Sequence, residues 1–149
     1  MPIPASSLEG YLMPETYSFP KGYPLRKKIE TMVREYRKTV GPAELEAARH
    51  LNLNEHQLVT LASIVEKETG APEERPLIAS VFLNRLRLGM LLQTDPTVIY
   101  GLKNFNGNIT KRDLADPHPY NTYVHKGLPP GPIAAPGKAS IKAVLSPSD

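Results

Sequence analysis

Two glutamates near the end of a helical pattern are the residues of this chain whose type and spacing could do acid–base chemistry. Glu66 and Glu68 follow an apolar run that ends at Val65. At about 100° per residue, Glu68 falls on the apolar face of its own helix, and Glu66 falls at the margin of that face. A carboxyl group held against apolar side chains loses hydration, which raises its pKa and lets it keep a proton near neutral pH. The pattern therefore makes Glu68 a candidate general acid.

A structural role for Glu68 is the alternative that the pattern leaves open. The side chain could turn out into solvent, or it could pair with an arginine such as Arg85 or Arg87. Structural ion pairs also perturb carboxylates, so the position of Glu68 on its helix does not decide between these interpretations.

The helix that carries both glutamates is predicted over residues 54–69. Asn54 is a common N-cap residue, and Gln57 completes a capping box with it. Gly70 suits the left-handed position just past the helix C-terminus. Apolar spacing and end signals predict further helices over residues 25–40, 42–50 and 74–88, with short ones opening at the caps Asp95, Thr110 and Ser140.

A long segment without any hydrophobic period covers residues 116–137. Loops of this length in a small domain are usually functional or disordered. Residues 120–123 read Tyr-Asn-Thr-Tyr, which combines ring faces with amide and hydroxyl groups, as sugar-binding sites do. Prolines stiffen the segment and lower the entropy lost on binding. We expect a ligand-binding loop, with a polyproline linker as the alternative.

The predicted fold class is an α-rich α+β domain with a long proline-rich loop. A few short strands are expected from residues 1–24 and 103–135, including a hairpin at Phe105–Asn108, where Asn-Gly is a turn signal. Gln93 and Thr94 precede the short helix at Asp95 and are expected to be exposed loop residues or ligand contacts.

Composition limits the function further. The chain has 149 residues, enough for one domain with a core, and a net charge of +3, too small to indicate nucleic-acid binding. It has no cysteine, and no apolar run is long enough to span a bilayer. The four histidines lack a metal-binding spacing, and nucleotide and cofactor motifs are missing. We therefore expect neither a metal nor a cofactor.

The chain resembles the YceG-like endolytic murein transglycosylase family over nearly its whole length. The segments that carry the resemblance are 8–12 (Leu-Glu-Gly-Tyr-Leu), 61–69, 80–86, 93–101, 120–123 and 127–137.

This resemblance implies a lysozyme-like domain that cleaves peptidoglycan glycan strands internally and leaves a 1,6-anhydro-N-acetylmuramic acid end. Glu68, followed by the small hydroxyl residue Thr69, matches the family's catalytic glutamate. The residues expected to bind the sugars are Glu9, Tyr11, Gln93, Thr94, Asp95, Tyr120, Asn121, Thr122 and Tyr123.

The resemblance also implies a location and partners. Such proteins act at the extracytoplasmic face of the bacterial cytoplasmic membrane, to which an N-terminal helix anchors them, and they carry a small LysM-like domain. Residues 1–149 contain neither, so we expect a single catalytic domain. Glycan strands are the expected substrate, cell-wall synthases are candidate partners, and nucleic acid is not.

Two other functions fit the residues. One is a muramidase-type hydrolase that uses a second carboxylate, Glu74 or Asp95, beside Glu68. The other is a non-catalytic module that binds glycan or a synthase.

Overall fold

One helix, α3 (Glu55–Glu68), runs through the middle of the domain. The computed structural model, which describes residues 3–149, buries every residue of α3 from Leu58 to Val65. The sequence pattern predicted one apolar face, but neighbouring segments cover this helix on all sides. The remaining elements are α1 (Leu25–Thr39), α2 (Pro42–His50), a 3-10 turn (Pro72–Glu74), α4 (Arg75–Leu88), α5 (Asp95–Gly101), α6 (Lys111–Leu114) and α7 (Lys138–Leu145).

The packing around α3 is helix against helix. Helices α2, α4, α5 and α7 all contact it, and α4 and α7 also contact each other. The N-terminal segment adds Tyr11 and Met13 to the same core, and α1 adds Tyr36. Burial of these apolar side chains is the main stabilising term of the fold.

The main helices match their predicted positions to within one or two residues, and the capping box of α3 is confirmed. Asn54 Oδ1 accepts a hydrogen bond from the Gln57 amide at 2.8 Å, and Gln57 Oε1 accepts one from the Asn54 amide at 2.9 Å. Thr110 and Asp113 form the same arrangement at the start of α6.

Three predicted helix ends are wrong. Gly70 does not take the left-handed conformation, because the chain leaves α3 through an extended Thr69, whose hydroxyl accepts a hydrogen bond from the Ala71 amide at 3.0 Å. Thr94 occupies the N-cap position of helix α5, and Asp95 is the first residue of the helix. Helix α7 begins after Gly137, earlier than the predicted cap at Ser140.

The predicted β component is also wrong, since residues 3–149 contain no strand. Met1 and Pro2, where the first predicted strand segment begins, lie outside these residues. Gly107 turns the chain with a φ of 100°, but no strands flank it, so the predicted hairpin does not form. Prolines in these segments lack the N–H group that a ladder needs.

Side chains of α3 hold the proline-rich loop in place of a sheet. His56, Ser63 and Glu66 lie at intervals of seven and three residues, which puts them on one side of the helix. Each makes a hydrogen bond to the loop backbone: His56 Nε2 to the Pro130 carbonyl (2.8 Å), Ser63 Oγ to the Ile133 amide (3.0 Å) and Glu66 Oε1 to the Gly137 amide (2.8 Å).

The N-terminal segment is fixed against the same loop at Gly10. This residue has a φ of +89°, and a Cβ atom there would lie 2.6 Å from Pro132. Both the backbone conformation and the close approach therefore require glycine. The contact holds Glu9 and Tyr11 beside the loop.

None of the helices in residues 3–149 combines the length and the apolar character that crossing a bilayer requires.

Glu66 joins three elements, and its removal should destabilise the domain. Its second carboxylate oxygen pairs with Arg75 of α4 at 3.0 Å, while its first also accepts a hydrogen bond from Ser140 of α7 at 3.0 Å. We expect Glu66→Ala to lower the free energy of unfolding by about 2–4 kcal/mol, because it leaves the largely buried Arg75 guanidinium and a backbone amide without this partner.

Urea denaturation measures this loss. Lys67→Ala, at the exposed neighbouring position, is the matched control and should change the free energy of unfolding by less than about 0.5 kcal/mol. Equal effects of the two substitutions would contradict the role assigned to Glu66.

Candidate active site

Glu68 is the last residue of α3, and its side chain is exposed. The apolar surroundings predicted for it are therefore wrong: the helix ends at this residue, so the neighbours that cover Leu58–Val65 do not reach it. Of the two structural alternatives for Glu68, the side chain is exposed to solvent, and the pairing with an arginine is not seen. Among the described residues, neither Arg85 nor Arg87 forms an ion pair with Glu68, and Arg85 Nη1 donates instead to the Leu92 carbonyl at 2.5 Å.

A buried hydroxyl holds the Glu68 carboxylate. Thr94 Oγ1 donates a hydrogen bond to Glu68 Oε2 at 2.7 Å, and Thr94 is only 2% exposed. Thr94 is the N-cap residue of α5, but its side chain does not cap that helix. At an N-cap position, a threonine hydroxyl ordinarily accepts a hydrogen bond from a backbone amide of its own helix. The Thr94 hydroxyl instead donates to the Glu68 carboxylate of α3.

A small network of threonines fixes Thr94 in turn. Its amide donates to Thr122 Oγ1 at 3.0 Å, and its carbonyl accepts from Thr97 Oγ1 at 2.9 Å. The hydroxyls of Thr97 and Thr122 are 2.9 Å apart and share a hydrogen bond. All three threonines are buried, so each polar group finds its partner inside the protein. The network positions the hydroxyl that faces Glu68.

Asn121 and Thr122 do not reach the surface, contrary to the prediction that they orient sugars. Asn121 is fully buried, and its amide group donates to the carbonyls of Leu114 and Asp116 and accepts from the Tyr123 amide. A side chain with these bonds has no atom left for a ligand. It fixes the turn that presents Tyr120 and Tyr123 on either side of it.

Asp95 and Tyr123 form a second contact next to the Thr94–Glu68 pair. The Tyr123 hydroxyl donates to Asp95 Oδ1 at 2.5 Å. Burial, followed by this hydrogen bond and the charge of Asp95, raises the pKa of Tyr123 to about 12, and the Glu68 charge adds to the effect. Tyr123 therefore keeps its phenol proton throughout the neutral range, and the hydroxyl serves as a donor.

Gln93 stands at the entrance to α5 with an exposed side chain and a φ of +52°. Its amide donates to the Thr122 carbonyl at 3.2 Å. The left-handed backbone is uncommon for a residue with a Cβ atom. It directs the Gln93 side chain outward while Thr94, the next residue, points inward to Glu68.

Tyr11 lies in the core and presents no ring face to a ligand, so the role predicted for it is wrong. It is 0% exposed, its ring packs edge-on against Tyr36 at 5.2 Å, and its hydroxyl is hydrogen-bonded to His56 Nδ1 at 2.9 Å. Burial is the main reason that the pKa of Tyr11 rises to about 12.

A second group of predicted residues lies at the other end of α5. Tyr100 packs against Tyr120 with ring centroids 4.7 Å apart and an angle of 50° between the rings, and the Tyr100 hydroxyl donates to Glu9 Oε1. Glu9 is exposed, Tyr120 is partly exposed and Tyr100 is 38% exposed. Asp95 and Tyr100 are separated by about 7.5 Å of helical rise.

Two residues of this end were missed by the sequence analysis. Tyr100 belongs to the segment 93–101 that carries the family resemblance, and its place at the end of the short helix was the available signal. His118 bridges Tyr120 to α5: its Nδ1 accepts from the Tyr120 amide at 3.1 Å, and its Nε2 donates to the Val98 carbonyl at 3.0 Å. Nothing in the local pattern around His118 indicates this role.

Glu68 lies on an open face of the domain. A groove of about 960 Å³ lies near the opposite end of α3, between the α2–α3 connection and α4, and none of the predicted site residues lines it.

The comparisons with known proteins agree with the resemblance seen in the sequence. The model of the YceG-like family matches residues 3–149. An endolytic murein transglycosylase of Bacillus subtilis (strain 168) is 41% identical over 94% of this chain and 39% of its own length. An endolytic murein transglycosylase of Streptococcus pneumoniae (strain D39) is 35% identical over 93% of this chain and 26% of its own length.

A solved structure shares the fold. A yceG-like protein from Listeria monocytogenes superposes with a TM-score of 0.83 and 40% sequence identity, covering 95% of this chain and 47% of that one. The chain therefore spans less than half the length of each of these relatives. Because the family model covers all of the described residues, the chain belongs to the YceG-like family.

Proposed function

We propose that this chain is the catalytic domain of an endolytic peptidoglycan transglycosylase and that Glu68 is its general acid and base. The observation that carries the proposal is the hydrogen bond from the buried Thr94 hydroxyl to Glu68 at the open end of α3, in a chain of the YceG-like family. The names of its relatives supply the reaction class. Glycan strands are then the substrate, and the outer face of the cytoplasmic membrane is the place of action.

The reaction needs one carboxyl group in two successive roles. Glu68 donates its proton to the glycosidic oxygen between N-acetylmuramic acid and N-acetylglucosamine, and positive charge develops at C1 of the muramic sugar as that bond breaks. The Glu68 carboxylate then takes the proton of the C6 hydroxyl of the same sugar. The C6 oxygen bonds to C1 and closes the anhydro ring. An intramolecular nucleophile requires neither a positioned water nor a second carboxylate.

The exposure of Glu68 in the free protein is compatible with this role. A sugar bound over the end of α3 covers the carboxyl group and removes water from it, so the substrate itself supplies the desolvation that the fold does not. The Thr94 hydroxyl holds one carboxyl oxygen, Oε2, at 2.7 Å. The other oxygen is left to face the glycosidic bond. Thr94 acts through Glu68 and is a positioning residue.

Asp95, Tyr123 and Gln93 are the other proposed contacts of the sugars next to the cleavage point. The exposed Asp95 and Gln93 flank Thr94 on either side. Tyr123 keeps its proton and can share its ring face and hydroxyl with the same sugars. Cell-wall synthases are the partner class that the family resemblance implies.

A hydrolase that uses Asp95 as the second carboxylate is the competing candidate. It is favoured by the position of Asp95 directly after the residue that binds Glu68. In such an enzyme a water molecule attacks C1, and the product ends in a reducing sugar. The two reactions therefore differ by one water in the mass of the product.

Glu68→Gln should abolish cleavage of purified glycan strands. The amide oxygen can still accept the Thr94 hydrogen bond, so the fold is kept while the proton is lost. We expect the rate to fall by about 10²- to 10⁴-fold. Mass spectrometry of the digest should show anhydro ends with the wild-type protein and uncut strands with the variant.

Glu30→Gln, an exposed carboxylate on α1, is the matched control and should cut normally. Reducing ends in the wild-type digest would favour the hydrolase. Undiminished cutting by Glu68→Gln would remove Glu68 from the mechanism.

Thr94→Val should lower kcat by about 10-fold and leave KM nearly unchanged, because a hydrogen bond to a charged group is worth about 1.5–3 kcal/mol. Steady-state kinetics on glycan strands measure the two constants separately. Thr94→Ser retains the hydroxyl and should restore most of the rate. A rise in KM at constant kcat would make Thr94 a substrate contact instead.

Asn121→Ala should destabilise the domain by about 2–4 kcal/mol, since three buried hydrogen bonds are lost together. The change is measured by urea denaturation, with the exposed neighbour Val124→Ala as control. If Asn121→Ala instead unfolds like the wild type and loses affinity for glycan, Asn121 binds the sugar directly.

A further inference from the structure

Glu9, Tyr100 and Tyr120 form a cluster whose ligand is not fixed by the proposed reaction. The two rings are 4.7 Å apart and inclined at 50°, and the Tyr100 hydroxyl donates to the Glu9 carboxylate. Each of the three side chains is at least partly exposed. The cluster lies at the far end of α5 from Asp95, at about 7.5 Å of helical rise.

This combination of groups is suited to a cation. A positive charge is attracted to the face of a tyrosine ring within about 6 Å, and a neighbouring carboxylate adds a direct charge interaction. Neutral sugars also use ring faces and can donate hydroxyl hydrogen bonds to a carboxylate, but only a cation gains the direct charge attraction of both groups. The charge of Glu9 is thus the feature that a cation site would use and whose removal distinguishes it from a site for neutral sugars.

Within the described part of the chain, no lysine or arginine makes a cation–π contact with the cluster. Among residues 3–149, the cation–π contacts are Lys28 with Phe19 and Arg37 with Tyr36, both elsewhere in the fold. Burial and the Glu9 charge raise the pKa of Tyr120, and no lysine or arginine opposes them. Glu9 therefore places a negative charge beside the rings, although the chain as a whole carries a charge of +3.

We propose that Glu9, Tyr100 and Tyr120 form a subsite for a primary ammonium group on the glycan substrate. The inference rests on the proposed function for the nature of that substrate. Two sources of a primary amine exist on such strands: a glucosamine residue that has lost its N-acetyl group, and the free side-chain amine of a diamino acid in a peptide stem. Both would be bound by the same ring faces and carboxylate.

Binding to matched strands tests the subsite. The Glu68→Gln protein is used so that no strand is cut. Peptide-free strands are compared before and after chemical removal of N-acetyl groups, and peptide-bearing strands are compared before and after acetylation of their free amines. We expect the free-amine member of at least one pair to bind about 3- to 10-fold more tightly. The pair that shows the difference identifies the source.

Adding Glu9→Gln to the same protein should abolish the preference. The glutamine keeps the hydrogen bond from Tyr100 but removes the charge, so the affinity ratio should fall to about 1. Tyr100→Leu, which removes one ring face, should lower the ratio as well. Glu30→Gln in the same background removes a charge from α1 and should leave the ratio unchanged. Circular dichroism and thermal unfolding check that each protein is folded.

A ratio near 1 in both pairs for the Glu68→Gln protein would overturn the inference, as would a preference that survives Glu9→Gln. Failure of the proposed function looks different. In that case the wild-type protein cuts none of the four strand preparations, whatever their affinities. If all four are cut and none is preferred, only the ammonium subsite is wrong.

Discussion

The fold depends on a buried helix that supplies hydrogen bonds to a loop that cannot supply its own. Residues 127–137 contain prolines at close spacing, and a proline-rich backbone can neither form a ladder nor coil into a helix. Buried amides and carbonyls left in this state would cost free energy. His56, Ser63 and Glu66 of α3 satisfy three of the loop's backbone groups, including the buried Ile133 amide. The loop is thereby ordered without regular structure, and the side chains that precede it are held in place.

The same helix explains the character of the site. Neighbours cover α3 up to Val65, and the helix ends three residues later at an exposed glutamate. The end of α3 is thus rigid because residues Leu58–Val65 are buried, yet its last side chain has the freedom of an exposed group. Thr94 restricts this freedom by holding one oxygen of the carboxyl group. Rigidity comes from the core, and access comes from the helix terminus.

Sequence patterns predicted the helices well and the site in part. Periodicity and the Asn54–Gln57 capping box located α3, because both are local properties. The absence of strands and the burial of Tyr11 and Asn121 could not be predicted in this way, since they depend on partners distant in the chain. Glu66 is the clearest example of a role that local sequence patterns do not predict. It seemed marginal on its helix, but it binds Gly137 and Arg75, and no local signal indicates such contacts.

His118 has one nitrogen that donates a hydrogen bond and one that accepts, and both bonds lie at the Tyr120 end of the site. The Val98 carbonyl can only accept and the Tyr120 amide can only donate, so the imidazole must carry its single proton on Nε2 and offer a lone pair at Nδ1. The ring approaches Gly101 so closely that a Cβ atom there would overlap it. The tautomer with its proton on Nε2 therefore links the backbone of α5 to the backbone of Tyr120.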